Sequence, residues 1–181
     1  TVIIDLGGDD IYQGPVASGL EGGCGIVLDL GGDDIYLGDD FTQGCGHWGI
    51  GILLDLKGND LYRAGRYAQG AGLFGVGLLV DGKGRDNYLG ARFVQAAAAW
   101  GWGGLLDLGG EDVYQCHQTG QAYAEVLGVD VSRLGPLSLE SSGAIAITNQ
   151  CSIFTDRDHR AIDEPSEGNR DDDGLLHEGA P

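Results

Sequence analysis

Ten aspartates fall into two periodic series that could carry ionic chemistry. The first, Asp5, Asp29, Asp55, Asp81 and Asp107, advances in steps of 24, 26, 26 and 26 residues. The second, Asp10, Asp34, Asp60, Asp86 and Asp112, follows each member of the first at a distance of five residues. If one step is one coil of the chain, each series is a column of carboxylates about 5 Å apart. Like charges that close disfavour joint ionisation, so the columns must protonate, accept hydrogen bonds from turn amides, or hold cations. Two readings stay open. In one, the aspartates cap glycine turns through backbone amides. In the other, Asp29, Asp34, Asp55, Asp60, Asp81, Asp86, Asp107 and Asp112 bind calcium, a hard ion that takes roughly six to eight oxygens from carboxylates and turn carbonyls.

The elements that must position these residues are written in the same repeat. Leu28-Asp29-Leu30-Gly31-Gly32-Asp33-Asp34-Ile35-Tyr36 recurs as Ile4 to Tyr12, Leu54 to Tyr62, Val80 to Tyr88 and Leu106 to Tyr114. Ahead of each later lead aspartate, glycine pairs such as Gly49 and Gly51 or Gly75 and Gly77 alternate with a bulky set, Trp48, Ile50, Ile52 and Leu54 in one coil. A period of two means a strand with one bulky and one flat face. The bulky face is expected inside, with Trp48, Phe74 and Trp100 stacked in the core. The flat face then looks outward, and Val27, Leu53, Leu79 and Leu105 leave on it an apolar stripe that calls for a packing partner, either the C-terminal cap or a second chain.

A turn follows, and its second glycine, Gly8, Gly32, Gly58, Gly84 or Gly110, is expected at positive φ. A second short strand puts Ile11, Ile35, Leu61 and Val113 on one face and the aspartate and tyrosine on the other. The tyrosines Tyr12, Tyr36, Tyr62, Tyr88 and Tyr114 should stack from coil to coil. Facing outward beside carboxylates, they would also suit sugar rings, which makes a glycan a candidate partner. A looser loop then carries an aromatic (Phe41, Tyr67, Phe93) and Gln43, Gln69, Gln95 and Gln121.

A helical solenoid is disfavoured, since each interior glycine would cost it about 1 kcal/mol. The expected fold is all-β: a parallel, β-helix-like solenoid of about five coils, right-handed or irregular, with two or three strands per coil. The repeats occupy 1–127. Residues 128–155 read as terminal cap strands, with Ala144-Ile145-Ala146-Ile147 and Ser152-Ile153-Phe154 as candidates, and 156–181 as an acidic, disordered tail.

Composition narrows the partners. The 181 residues include 35 glycines and no methionine, and the formal charge is -18. Such a chain repels nucleic acid and anionic membrane surfaces and attracts divalent cations. No apolar run reaches the roughly 18 residues of a membrane span, and the N-terminus lacks a signal peptide's basic and apolar regions. The start at Thr1, without methionine, reads as a processed product or a piece of a longer repeat protein. Cys24, Cys45, Cys116 and Cys151 occupy different repeat positions without CxxC spacing, which argues against zinc and for small buried fillers, with one disulfide or a reactive thiol as the alternative. His47, His117, His159 and His177 share no repeat position and read as surface or filling residues.

Gly31-Gly32-Asp33-Asp34-Ile35-Tyr36 and Gly109-Gly110-Glu111-Asp112-Val113-Tyr114 resemble halves of the RTX nonapeptide, Gly-Gly-x-Gly-x-Asp-x-apolar-x, of secreted bacterial calcium-binding β-rolls. The resemblance covers about eight residues per coil, without the nonapeptide's third glycine. It implies calcium between coils and a bacterial, extracellular or cell-surface setting. The leading expectation is a noncatalytic structural or binding module. The rival is a polysaccharide-acting β-helix enzyme, in which a pair such as Asp55 and Asp60 serves as acid and base. Catalysis is local, however, and here the same acids recur in every coil.

Overall fold

A computed structural model of the chain describes residues 1–117, 124–126, 129–130, 143–148 and 151–156. Each coil contributes three short strands. The first holds β1 (Val2–Asp5), β2 (Ile11–Gln13) and β3 (Gly19–Leu20), and the second β4 (Cys24–Asp29), β5 (Ile35–Leu37) and β6 (Gly46–His47). The third holds β7 (Ile50–Asp55), β8 (Leu61–Arg63) and β9 (Gly72–Leu73), and the fourth β10 (Val76–Asp81), β11 (Asn87–Leu89) and β12 (Ala98–Ala99). Then come β13 (Trp102–Asp107), β14 (Asp112–Cys116), β15 (Ala124–Val126), β16 (Val129–Asp130), β17 (Gly143–Thr148) and β18 (Cys151–Asp156).

Equivalent strands stack into three sheets, so the chain is a parallel β-solenoid. The first sheet runs β1-β4-β7-β10-β13-β17, the second β2-β5-β8-β11-β14-β18, and the third β3-β6-β9-β12-β15-β16. All neighbours are parallel except β15 and β16, which are antiparallel. Register follows the repeat: Asp5, Asp29, Asp55, Asp81 and Asp107 are successive partners, and Thr148 takes the same place in β17. The candidate cap strands thus lie in β17 and β18, which extend the first and second sheets. The expected tail beyond Asp156 lies outside the described residues.

The strand faces are the reverse of the expectation. Leu53, Leu79 and Leu105 are fully buried and Val27 nearly so, while Trp48 is 56% exposed and Ile50 44%. The flat face therefore lines the interior and the bulky face looks out. The cause is the narrowness of the coil. A Cβ at Gly51 would run into the carbonyl oxygens of Cys45 and Ala17, one at Gly77 into that of Ala71, and one at Gly103 into those of Ala96 and Ala97. The turn leading into the third sheet lies backbone to backbone against the first, and only glycine lets the two walls close. The second sheet is reversed too. Tyr36, Tyr62, Tyr88 and Tyr114 are fully buried, and Ile11 is on the outside.

The turn glycines also have a different reason from the expected one. Gly8 has φ +143°, but Gly32, Gly58, Gly84 and Gly110 are not at positive φ. At each of these four, a Cβ would overlap the carbonyl oxygen of the equivalent glycine one coil earlier. Left-handed backbone falls instead on side-chain-bearing residues. Phe41, Gln43 and Trp48, and their equivalents Tyr67, Gln69, Phe74 and Phe93, Gln95, Trp100, take φ between 48° and 57°. Each costs about 1 kcal/mol. Stacking between coils offsets it, with ring centroids 5.1 Å apart for Phe41–Tyr67 and for Tyr67–Phe93.

Candidate metal centre

The two aspartate columns face each other across the corner between the first and second sheets. Asp29, Asp55, Asp81 and Asp107 are the last residues of β4, β7, β10 and β13. Asp34, Asp60 and Asp86 stand one residue before β5, β8 and β11, and Asp112 opens β14. All eight are at most 1% exposed. Only a short turn lies between them, so the repeat fixes five residues from one carboxylate to the next and returns the chain to the same interior.

The first column is well satisfied. One oxygen caps the turn: Gly31 N donates to Asp29 Oδ1 at 2.8 Å, Lys57 N to Asp55 at 3.2 Å and Gly109 N to Asp107 at 3.2 Å. The other oxygen takes a phenol from the coil before. Tyr36 Oη donates to Asp55 Oδ2 at 2.8 Å, Tyr62 to Asp81 at 2.7 Å and Tyr88 to Asp107 at 3.2 Å. The turn-cap expectation therefore holds for Asp29, Asp55 and Asp107. Asp81 differs, because its Oδ1 is buried without a partner.

The second column is only half satisfied. Each Oδ1 accepts the backbone N–H of the preceding coil's aspartate: Asp34 from Asp10 at 2.7 Å, Asp60 from Asp34 at 2.6 Å, Asp86 from Asp60 at 2.7 Å and Asp112 from Asp86 at 2.9 Å. The Oδ2 atoms of Asp34, Asp60 and Asp86 are sealed from solvent with no hydrogen-bond partner. Among the described residues no cation answers them. The ion pairs among the described residues, Arg66 with Asp40 and Arg85 with Glu111, involve other acids.

Burial without a counter-charge shows in the acidities. Asp60 is pushed up to about 8 and Asp34 to about 6, first by desolvation and then by neighbouring carboxylates, against the pull of the amides they accept. Asp81, Asp86 and Asp112 are raised for the same leading reason. The phenols of Tyr36, Tyr62, Tyr88 and Tyr114 are held above the ordinary tyrosine range by burial and by the carboxylates beside them, so they remain donors.

Three groups bring carboxylate oxygens together: Asp29, Asp34 and Asp55; Asp60, Asp81 and Asp86; and Asp86, Asp107 and Asp112. In each group, one oxygen per residue lies within 4.8 Å of the others. That span suits an ion with metal–oxygen bonds of about 2.4 Å, for which opposed ligands stand about 5 Å apart. All eight expected site residues fall into these groups.

Sequence reasoning placed the aspartates but not their partners. The tyrosines stack as the repeat predicts, with centroids 4.7 to 4.8 Å apart, and their hydroxyls are the second hydrogen-bond partner of the first column. The available signal was the spacing of 19 from tyrosine to the next coil's lead aspartate, Tyr36 to Asp55, Tyr62 to Asp81 and Tyr88 to Asp107. The glutamines are a further buried column. Gln43 Nε2 donates to the carbonyls of Tyr36 and Arg63, both at 2.9 Å, tying one coil to the next. Of the cysteines, Cys45 and Cys116 are buried as expected, with burial pushing the Cys45 thiol up to about 12, whereas Cys24 is exposed.

Comparison with known proteins returns no matching family model, no matching curated protein and no matching solved structure.

Proposed function

We propose that this chain is a noncatalytic structural solenoid whose interior carboxylates take up divalent cations, calcium by preference, to lock successive coils together. The observation that carries the reading is the set of sealed, unpartnered oxygens at Asp34, Asp60, Asp81 and Asp86. A buried carboxylate oxygen without a donor is costly, and a column of them compounds the cost. Cations bound between coils would supply both the missing partners and the missing charge. The all-oxygen donor set suits a hard ion over zinc or copper. Burial supports this reading over the polysaccharide-acting alternative, since Asp55 and Asp60 are too enclosed to reach a glycan chain. A bacterial, extracellular setting would provide calcium at the concentrations required.

The test is a comparison of thermal unfolding in millimolar calcium and in EGTA. Each occupied site stabilises by about 2.7 kcal/mol at a hundredfold excess over Kd, so several sites raise the midpoint by many degrees. Magnesium and calcium titrations with metal analysis of the dialysed protein give the selectivity and stoichiometry. A melting curve identical in calcium, magnesium and EGTA would sink the proposal and leave the columns as turn caps.

A further inference from the structure

We infer that the outer wall of the first sheet is a self-association surface, covered in solution by the same wall of a second copy of this chain. In β7 the outward residues are Ile50, Ile52 and Leu54, with Leu56 just beyond the strand. The in-register ladder repeats these positions in β1, β4, β10 and β13. No residue at any of them is charged or bears a hydroxyl or an amide. The wall stands open to solvent, with Trp102 52% and Leu108 55% exposed. The outer wall of the second sheet is unlike it, since Gln13, Arg63, Asn87 and Gln115 interrupt the apolar residues there.

Parallel sheets are normally covered on both faces, and here one face of the first sheet has no cover among the described residues. Five strands about 4.8 Å apart and about 20 Å of strand length give a footprint of about 500 Å² per copy. Two copies then bury about 1,000 Å², the size at which specific interfaces begin. The ridge Trp48–Phe74–Trp100 along its border adds to this. A second copy is the occupant that fits the charge: in a chain of -18 this wall carries neither a carboxylate nor a cation, so two can meet without acidic groups opposing each other. Flat apolar sheets pack about 10 Å apart, and a two-fold arrangement presents the same patch from both sides. The ridge does not suit a sugar. Its rings stack on one another at 4.4 and 5.0 Å, so they offer edges to solvent, not faces.

The experiment begins with the unaltered chain. Cys24 opens β4 on this wall and is exposed, so its alkylation, followed peptide by peptide in a mass spectrometer, should slow about fourfold as protein concentration rises a hundredfold through the dissociation constant. Sedimentation should show twice the 18.9 kDa monomer mass at the high end. The double variant Ile50→Lys, Trp102→Lys should stay monomeric and react at a rate independent of concentration, while Ile11→Lys on the second sheet should still pair. A monomer at every concentration overturns the inference, as does Cys24 protection that ignores concentration, which would mean that the chain's own C-terminal segment covers the wall. Pairing that survives the double variant overturns it as well.

Discussion

The two sides of the first sheet invert the usual distribution of polarity. Its inner side, with the second sheet opposite, is lined by glycine, one column of leucine and valine, aspartate and tyrosine; its outer side is isoleucine, leucine, valine and tryptophan. The difference teaches what selects a residue for a narrow solenoid interior. Every buried position must stack on a copy of itself about 4.8 Å away, and the cross-section leaves no room for a thick apolar layer. Tyrosine stacks well and ends in a hydroxyl that the next coil's aspartate accepts. Aspartate closes the turn and accepts the neighbouring coil's amide. Isoleucine and tryptophan have no such return, and the outer wall, where bulk is unrestricted, takes them.

The largest effect expected is at the glycines that let the walls touch. Gly77→Ala sets a methyl group against the carbonyl of Ala71, which is backbone and cannot swing away. The cost should exceed about 4 kcal/mol, in a fold whose total stability is of the order of 10 kcal/mol. Gly22→Ala makes the contrast: it has φ +81° but open space around it, so it should cost only about 1 kcal/mol. Urea unfolding midpoints separate the two. Similar midpoints for both variants would mean that the inner wall is not as tight as the geometry states.

A smaller loss is expected where the inner wall's polarity is satisfied. Tyr62→Phe keeps the ring between Tyr36 and Tyr88 but removes the hydroxyl that Asp81 Oδ2 accepts. Because Asp81 Oδ1 already lacks a partner, the whole carboxylate is left bare, at a cost of about 2 kcal/mol in chelator. Calcium should recover part of that loss. Outward Leu61→Ala on the same strand should change stability less than Tyr62→Phe, and the opposite order would break the claim that polar pairing holds this wall.

The coil and its register were legible because the repeat states them: one step of 24 residues and three of 26, alternation ahead of each later aspartate, and paired glycines leave little besides stacked parallel strands. The facing was not legible. Hydropathy alone puts Trp48 and Ile50 inside, and the opposite outcome depends on the separation of two backbones, which no local pattern encodes. Gly51, Gly77 and Gly103 held the clue, since a flat face suits close approach as well as exposure. The site was half legible. Ten aspartates at two fixed positions announce a pair of columns, but that one column finds phenols and the other keeps bare oxygens follows only from where Tyr36 and its equivalents point.

The effect of replacing one carboxylate of the second column should be the sharpest, because its sign changes with conditions. Asp60 has its acidity shifted up to about 8 by burial, against about 3.9 in an unfolded chain. A carboxyl whose folded value is the higher one binds a proton on folding, so its favourable contribution is complete below about pH 4 and is lost as pH rises towards about 8. Asp34, Asp81, Asp86 and Asp112 move in the same direction. In EGTA the parent should therefore lose about 1 kcal/mol per pH unit, or somewhat more, between pH 5 and pH 8. Asp60→Asn keeps an oxygen for the Asp34 amide and replaces the titrating oxygen with a neutral group. In EGTA at pH 8 it should equal or exceed the parent in stability, and at pH 5 the advantage should vanish. In calcium at pH 8 the order should reverse, since the parent gains from the ion and the variant has lost a ligand. Denaturant midpoints at two pH values, with and without calcium, read all of these. A parent more stable at pH 8 than at pH 5 in chelator would show that the carboxylates are content as anions, and the contrast between an ion-hungry interior and an apolar exterior would fail.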